Sequence, residues 1–450
     1  LRKTITTIVA TAILLAGWQL FAVIANQPEL IPSLPRLVRT LCEWLVSGSF
    51  YQSVGATILR GVLGMSISFV CAIGMAGLFA RFEWVYELFR PLLAIMRSIP
   101  VISFILLALI FLNPESIPLM IAFLTMFPLL TENLTRGILD LRPGLSIMAR
   151  QFHIKRSNVL FQIIYPQLKP FLYSGLASAA GFGWRAIIMG EVLSQCAFGI
   201  GSEMKRAQNF ISVPELLAWT IVAVFISFFF DKGISKVADI TPKISFANED
   251  QTIPTPTLSV LDTKDISYQY GIQHFSHSFQ KGIIYGISAP SGKGKTTLLN
   301  LIGGILLPTE GEIHPTRHFG IATIFQQPQL LPHLTAEENI ILPLSSFLTE
   351  EKARRIAQKH LQEMEMEPFG NRYPKELSYG QQQRIAIARA LAYPSPLLLM
   401  DEPFKGLDEA LSHRIIERIR EKQMKEERII LFTSHNPDEI RLLADEVIYL

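Results

Sequence analysis

Nine consecutive residues, Ala289-Pro290-Ser291-Gly292-Lys293-Gly294-Lys295-Thr296-Thr297, carry the strongest chemical signal in this chain. Glycines let backbone N–H groups crowd round a phosphate, while the lysine and hydroxyls add a cation and metal-ligating oxygens. Such a loop works between a strand and a helix. The flanks fit: Ile283-Ile284-Tyr285-Gly286-Ile287 is a strand-like apolar run and Leu298-Leu299-Asn300-Leu301-Ile302 a helical one. In that setting Ser291, Gly292, Gly294 and Thr297 line the phosphate, Lys295 reaches the β- and γ-phosphates, and the Thr296 hydroxyl ligates Mg²⁺. Ala289 stands where a first glycine is usual, which the turn accepts if its φ is negative. On its own the stretch also reads as a plain Gly/Ser turn.

Three further segments argue against that plainer reading. Leu397-Leu398-Leu399-Met400-Asp401-Glu402 is a buried-strand pattern ending in two carboxylates. Asp401 is placed to hold Mg²⁺ through water, and Glu402 to polarise a hydrolytic water as general base. Ile429-Ile430-Leu431-Phe432 runs into Thr433-Ser434-His435, and Leu377-Ser378-Tyr379-Gly380-Gln381 opens a helix rich in Gln, Arg and Ala. In their order along the chain, with the Ser378 segment second, the four segments resemble an ABC-transporter ATPase, over residues 258 to 450. The resemblance implies ATP and Mg²⁺ as ligands. It makes His435 a contact of the γ-phosphate and the water. Gln326, in Ile324-Phe325-Gln326-Gln327, becomes the Q-loop glutamine, touching Mg²⁺ or the attacking water and reporting to a membrane half. Tyr270 becomes the adenine-stacking aromatic, with Tyr268 as the alternative and a core strand aromatic as the plainer reading of either. Ser378, Gly380 and Gln381 cap the γ-phosphate held by a partner subunit, and Asp408 matches the loop linking two ATP sites. Tyr379 replaces a common glycine.

The rest of the chain sets the context. It has 450 residues, 49% of them hydrophobic, and a net charge of +3; several domains and a membrane part follow, and a nucleic-acid binder is disfavoured. Cys42, Cys71 and Cys196 show no metal or disulfide spacing and read as packing residues. Apolar runs at 5–26, 56–80, 91–112, 117–135, 171–194 and 214–230 give six candidate spans. With the ATPase on the cytoplasmic side, most Lys and Arg of the connecting loops fall inside, and only Arg36, Arg39, Lys205 and Arg206 outside. Arg60 and Arg97 read as snorkelling anchors. Arg185 and Glu191 are intramembrane charges, either paired with neighbouring helices or lining a pathway.

Arg97-Ser98-Ile99-Pro100, Gly183-Trp184-Arg185, Gly190-Glu191-Val192-Leu193 and Pro214-Glu215-Leu216-Leu217 are similar to permeases of the nitrate/sulfonate/taurine-type importers, over residues 50–237. The loop 137–170 resembles their EAA loop in degenerate form. It reads as two short helices ended near Pro166, with Ala149 in the first triplet, Phe152 on an apolar face and His153 in the glycine's place; an ordinary interfacial helix is the alternative. The expected architecture is an α-helical membrane domain of about six spans, type I ABC importer-like, at 1–240, a linker at 241–257 and an α/β P-loop ABC ATPase domain at 258–450. The resemblance implies a multi-pass protein of the inner or plasma membrane, in contact with lipid, with its ATPase cytoplasmic. It further implies a homodimer, served by an extracytoplasmic solute-binding protein, that imports a small anion, sulfonate or vitamin-precursor-like solute. An exporter half-transporter and a membrane-tethered ATPase acting as a sensor remain open alternatives.

Overall fold

The computed structural model describes residues 2–238, 242–251, 258–269, 271–290, 292–315 and 320–450, without the side chains of residues 2–4, 7 and 8. Contacts divide the chain into two units: residues 1–141 with 167–241, and residues 142–166 with 242–450.

The first unit is helical because its apolar runs are long and backbone groups away from water must be paired within the segment. It opens with α1 (Arg2–Ala25), α2 (Leu34–Trp44), α3 (Gly48–Arg81), α4 (Glu83–Ser98), α5 (Val101–Phe111) and α6 (Ile117–Leu139). The chain passes through α7 (Pro143–Gln151) and α8 (Arg156–Asn158), which belong to the second unit. The first unit continues with α9 (Tyr165–Ser194), α10 (Ile200–Asn209) and α11 (Val213–Ala238). Among the described residues four helices are long and apolar enough to cross a membrane: Gly48–Arg81, Pro114–Leu139, Arg156–Ser194 and Val213–Ala238. A fifth crossing exists if α4 and α5 count as one, bent by 93°. The run at 91–112 is therefore no straight span. Pro100 lacks a backbone donor and pushes Ile99 into extended conformation (φ −71°, ψ 130°), which ends α4 there. The apolar part of α1, Val9–Ala25, is shorter than the spanning helices. Helices approach closely where side chains are small: a Cβ on Gly64 of α3 would lie 2.6 Å from the Ala122 Cβ of α6.

Two charge assignments change. Arg60 is not an anchor reaching for the interface. Its side chain is 13% exposed and binds Glu191 Oε1 and Glu115 Oε2, each at 2.7 Å. The buried Glu191 also accepts from Thr57 Oγ1 and the Gly201 amide, each at 2.9 Å. Arg97 pairs with Glu132, which Arg136 shares. A long cation in an apolar unit gains more from a carboxylate on the facing helix than from a distant interface, and which helix faces it is not written locally. Arg185 stands exposed on α9.

The second unit contains two sheets. One is antiparallel, ordered β2-β1-β4, from β1 (Val260–Tyr268), β2 (Ile272–Gln280) and β4 (Glu310–His314). The other is ordered β5-β6-β7-β3-β8, from β3 (Ile284–Ser288), β5 (Ala322–Ile324), β6 (Leu397–Asp401), β7 (Ile429–Thr433) and β8 (Glu446–Tyr449). Its neighbours are parallel throughout. Continuous Leu/Ile runs such as Leu397–Met400 suit strands buried on both faces. Helices α12 (Lys295–Ile302), α13 (Ala336–Leu344), α14 (Glu350–Glu363), α15 (Tyr379–Ala392), α16 (Glu409–Glu426) and α17 (Pro437–Leu443) complete it.

The segment 142–166 packs into this second unit, although it lies within the 1–240 expected to form the membrane domain; the other contact boundary falls between residues 241 and 242. The segment's second helix does not stop at Pro166. Residues 156–194 are helical throughout, with a π-helical stretch at Val159–Ile164. A π turn shifts the hydrogen-bond ladder by one residue just before a proline that can neither donate nor fit against the carbonyl of residue 162. Of the expected linker, residues 241 and 252–257 lie outside the described residues. The rest hydrogen-bonds along the second unit: Ala247 N donates to Ser345 O at 3.0 Å and Gln251 N to Phe347 O at 2.8 Å.

Candidate nucleotide site

A parallel sheet gathers the C-terminal ends of its strands on one edge, and ligands bind there. In the order β5-β6-β7-β3 that edge brings together Gln326 beyond β5, Asp401 and Glu402 at the end of β6, Thr433 and His435 after β7, and the glycine-rich loop after β3. Thr296 and Asp401, 105 positions apart in the chain, and Gln326 and Glu402, 76 apart, thus become neighbours through strand order.

The loop wraps onto the N-terminus of α12, whose cap, Gly294, has φ +91°; Gly292 has φ +83°. Both angles lie in the left-handed region that glycine adopts freely. Ala289 is not among the residues of positive φ, so its Cβ meets no strain of that kind. Lys295 is buried, and its Nζ donates to Ala289 O at 2.7 Å across the loop. Thr297 lies in the first turn of α12. Ser291 and the adenine-stacking candidate Tyr270 lie outside the described residues.

Behind the loop, Thr296 Oγ1 donates to Asp401 Oδ2 at 2.9 Å and Thr433 Oγ1 to Asp401 Oδ1 at 2.8 Å. Burial raises the Asp401 carboxyl above its ordinary range; the two hydroxyls pull it down and the neighbouring Glu402 charge pushes it up again. Asp401 has no ion pair among the described residues. A buried carboxylate beside a threonine hydroxyl, with oxygen donors and no cation in ion-pair contact among the described residues, fits Mg²⁺, which takes few protein ligands and keeps waters and phosphate oxygens. Thr296, Asp401 and the Gln326 amide would hold it.

Glu402 meets different company. Gln326 Nε2 donates to its Oε1 at 3.4 Å, His435 Nε2 lies 3.0 Å from the same oxygen, and Lys405 Nζ 3.2 Å from Oε2. Burial pushes this carboxyl up, but Lys405, Gln326 and His435 together outweigh it and leave it below the ordinary value. Its backbone has φ +48°, uncommon for a residue with a Cβ and stored most often where function demands it. Lys405 escaped the sequence reading; its signal was its place three residues after Glu402 in the turn leaving β6.

Ser378 caps α15: its Oγ accepts from Gln381 N at 3.3 Å while Gln381 Oε1 accepts from Ser378 N at 2.9 Å. Gly380 follows in the first turn, so Ser378, Gly380 and a helix N-terminus share one surface. They do not join the cluster round Glu402 through any described hydrogen bond of their own. Asp408 caps α16, accepting from Leu411 N at 2.9 Å.

Of the loop residues, Ala149 and Phe152 are buried on the second unit. The Phe152 ring meets Tyr393 edge-on at 5.2 Å, and Gln151 Nε2 donates to Gly303 O at 2.8 Å. His153 has φ +46°, which accounts for the glycine expected there: only glycine adopts that angle without strain. Pro166 lies inside the continuous helix. A cavity of ≈ 260 Å³ lined by Thr296, Asp401 and Gln326 reaches Gly144 and Ile147 of the loop.

Comparison with known proteins places both units. Residues 272–405 match the family model described as ABC transporter, and residues 66–231 that of the binding-protein-dependent transport system inner membrane component. An uncharacterized ABC transporter ATP-binding protein of Methanocaldococcus jannaschii is 34% identical over 201 residues, 40% of this chain and 85% of that protein. The thiamine import ATP-binding protein of Yersinia pseudotuberculosis is 34% identical over 205 residues, 42% of this chain and 86% of that protein. An Fe(3+) ions import ATP-binding protein of Rhizobium etli is 35% identical over 189 residues, 40% of this chain and 54% of that protein. The chain thus spans about half the length of the iron-import relative. With one half matching the inner-membrane component and the other sharing this identity across nearly the whole of two cassette proteins, the chain belongs to the ABC transporter family, its membrane part and its ATP-binding part fused in one polypeptide.

Proposed function

We propose that this chain is the combined permease and ATPase subunit of an ATP-driven importer. Two copies form the working unit, and an extracytoplasmic binding protein delivers a small anion, sulfonate or vitamin-precursor-like solute. The observation that carries the reading is the cluster at the sheet edge, where Thr296, Asp401, Gln326, Glu402 and His435 converge on one chain with membrane-length helices.

The roles follow from the chemistry of each group. Lys295 and the amides of the loop hold the β- and γ-phosphates. Thr296, Asp401 and Gln326 hold Mg²⁺, which when bound neutralises phosphate charge. Glu402 orients a water and takes its proton; His435, on the same carboxylate oxygen, steadies that water against the γ-phosphate. Among the described residues Ser378, Gly380 and Gln381 have no such partners in their own site, in keeping with service to the second chain's nucleotide. The loop around Ala149 to Pro166 carries the Q-loop's movement to the spans. Import is favoured because the membrane half matches an inner-membrane component of binding-protein-dependent systems, and two relatives carry import in their names.

The test uses the full chain in lipid vesicles. Glu402→Gln is expected to bind ATP with near wild-type affinity while turnover falls by about 10²-fold or more, since the base is lost and the amide still fits. Lys295→Ala is expected to weaken binding itself. Wild-type hydrolysis in Glu402→Gln would sink the assignment of the base.

A further inference from the structure

The helix α15 holds the Q-loop at two points ten residues apart. At its first residue, the Tyr379 hydroxyl donates to Gln326 O at 2.8 Å. Farther along, Arg389 donates from Nη1 to Gln329 O and from Nη2 to Pro328 O, each at 2.8 Å. The two attachments are unequal. Arg389 is fully buried, has no ion pair among the described residues, and rests 5.5 Å from the centre of the Phe152 ring. Those carbonyls and that ring are what replaces its water, so moving them away would strand a buried charge. Tyr379 is 42% exposed, so water can take over its hydroxyl at small cost. The Tyr379 end is the end that opens.

Tyr379 also stands between Ser378, which is exposed, and Gly380, which is half-buried, the two residues assigned above to a partner's nucleotide. Its ring packs on Gly406, where a Cβ would lie 2.7 Å from the Tyr379 Cδ1. Gln326 meanwhile reaches Glu402 with its side chain. One residue therefore has its side chain in the chain's own site and its carbonyl on the signature turn.

We infer that Tyr379 is a positioning residue that makes a chain's signature turn respond to the state of that chain's own nucleotide site. The inference rests on the two-chain reading given above. Movement of Gln326 toward a γ-phosphate breaks the Tyr379 bond and shifts how Ser378 and Gly380 are presented to the partner's nucleotide. By linkage, engagement of the signature turn biases Gln326 in return, so the two sites bind ATP cooperatively.

The experiment measures ATP hydrolysis by the full chain in lipid nanodiscs as a function of ATP concentration. Tyr379→Phe keeps the ring on Gly406 and loses only the hydroxyl; Tyr379→Gly loses both. The Hill coefficient is expected above 1 in the wild type and about 1 in both variants, the signature of lost coupling between sites. A wild-type coefficient in Tyr379→Phe overturns the inference, even if Tyr379→Gly is impaired, because packing then accounts for the residue. So does a change in Tyr379→Phe confined to half-saturating ATP, which marks direct contact with the nucleotide, and so does a wild type without cooperativity. A separate arm places Ser378→Cys and Lys293→Cys in Glu402→Gln, with Cys42, Cys71 and Cys196 removed. An ATP-dependent disulfide between chains is expected. Its absence sinks the two-chain reading and this inference with it; its presence beside an unchanged coefficient in Tyr379→Phe sinks this inference alone.

Discussion

Asp401 and Glu402 are adjacent in the chain yet pushed in opposite directions by their surroundings. Asp401 points inward to two hydroxyls and is raised by burial; Glu402 faces an amide, an imidazole and an ammonium and is lowered despite burial. Neighbouring carboxylates with separated properties suit separate tasks, one holding a cation and one accepting a proton. Lys405 is part of that separation. Lys405→Met removes a charge that favours ionised Glu402, so the Glu402 pKa rises. A base works only when ionised, so the acid limb of kcat/KM is expected to move to higher pH, with the alkaline limb unchanged. An acid limb that stays in place would show that Lys405 does not act on the base.

The instructive element is the segment 142–166. A nine-residue helix such as α7 is marginal alone in water, and it holds here because Leu145, Met148, Ala149 and Phe152 are buried against the ATP-binding unit. Backbone bonds add to the attachment: Ile321 N donates to Gln151 O at 2.8 Å, and Lys155 N to Ser346 Oγ at 2.9 Å. Gly144 lies against the Q-loop; a Cβ there would meet Gln329 Oε1 at 2.5 Å. Paired substitutions Gly144→Cys and Gln329→Cys remove that long side chain and put a thiol at each of the two positions. In a chain without Cys42, Cys71 and Cys196 this pair is expected to form a disulfide, at a rate that changes when ATP is added. Failure to form it under oxidising conditions, in protein that still hydrolyses ATP, would show that the loop does not rest on the Q-loop in the membrane.

For the whole molecule the question is sidedness. Positive charge concentrates in the loops assigned to the ATPase side, and those loops alternate with the spans. A reporter fused after Lys155 is expected to read cytoplasmic and one after Gly201 extracytoplasmic, because the helix from Arg156 to Ser194 is long and apolar enough to cross between them. The same side for both would remove that crossing. The broken pair α4 and α5 is compatible with this alternation only as a single crossing.

Chemistry that depends on near neighbours was legible in the residues: the glycine-rich loop between strand and helix, the strand ending in Asp401 and Glu402, the helix opened by Ser378–Gln381, the apolar runs. Each is set by backbone donors, turn angles or periodicity within a few residues, so the local sequence determines it. Tertiary structure alone decided that Arg60 meets a carboxylate 131 residues away, that Tyr379 meets a carbonyl 53 residues away, and that Phe152 lies under Arg389. It also decided the destination of 142–166 and turned the apolar run at 91–112 into a bend. The partner of a long polar side chain is chosen by which faces of distant elements are packed together, and that choice is a property of the whole energy balance and of no single segment.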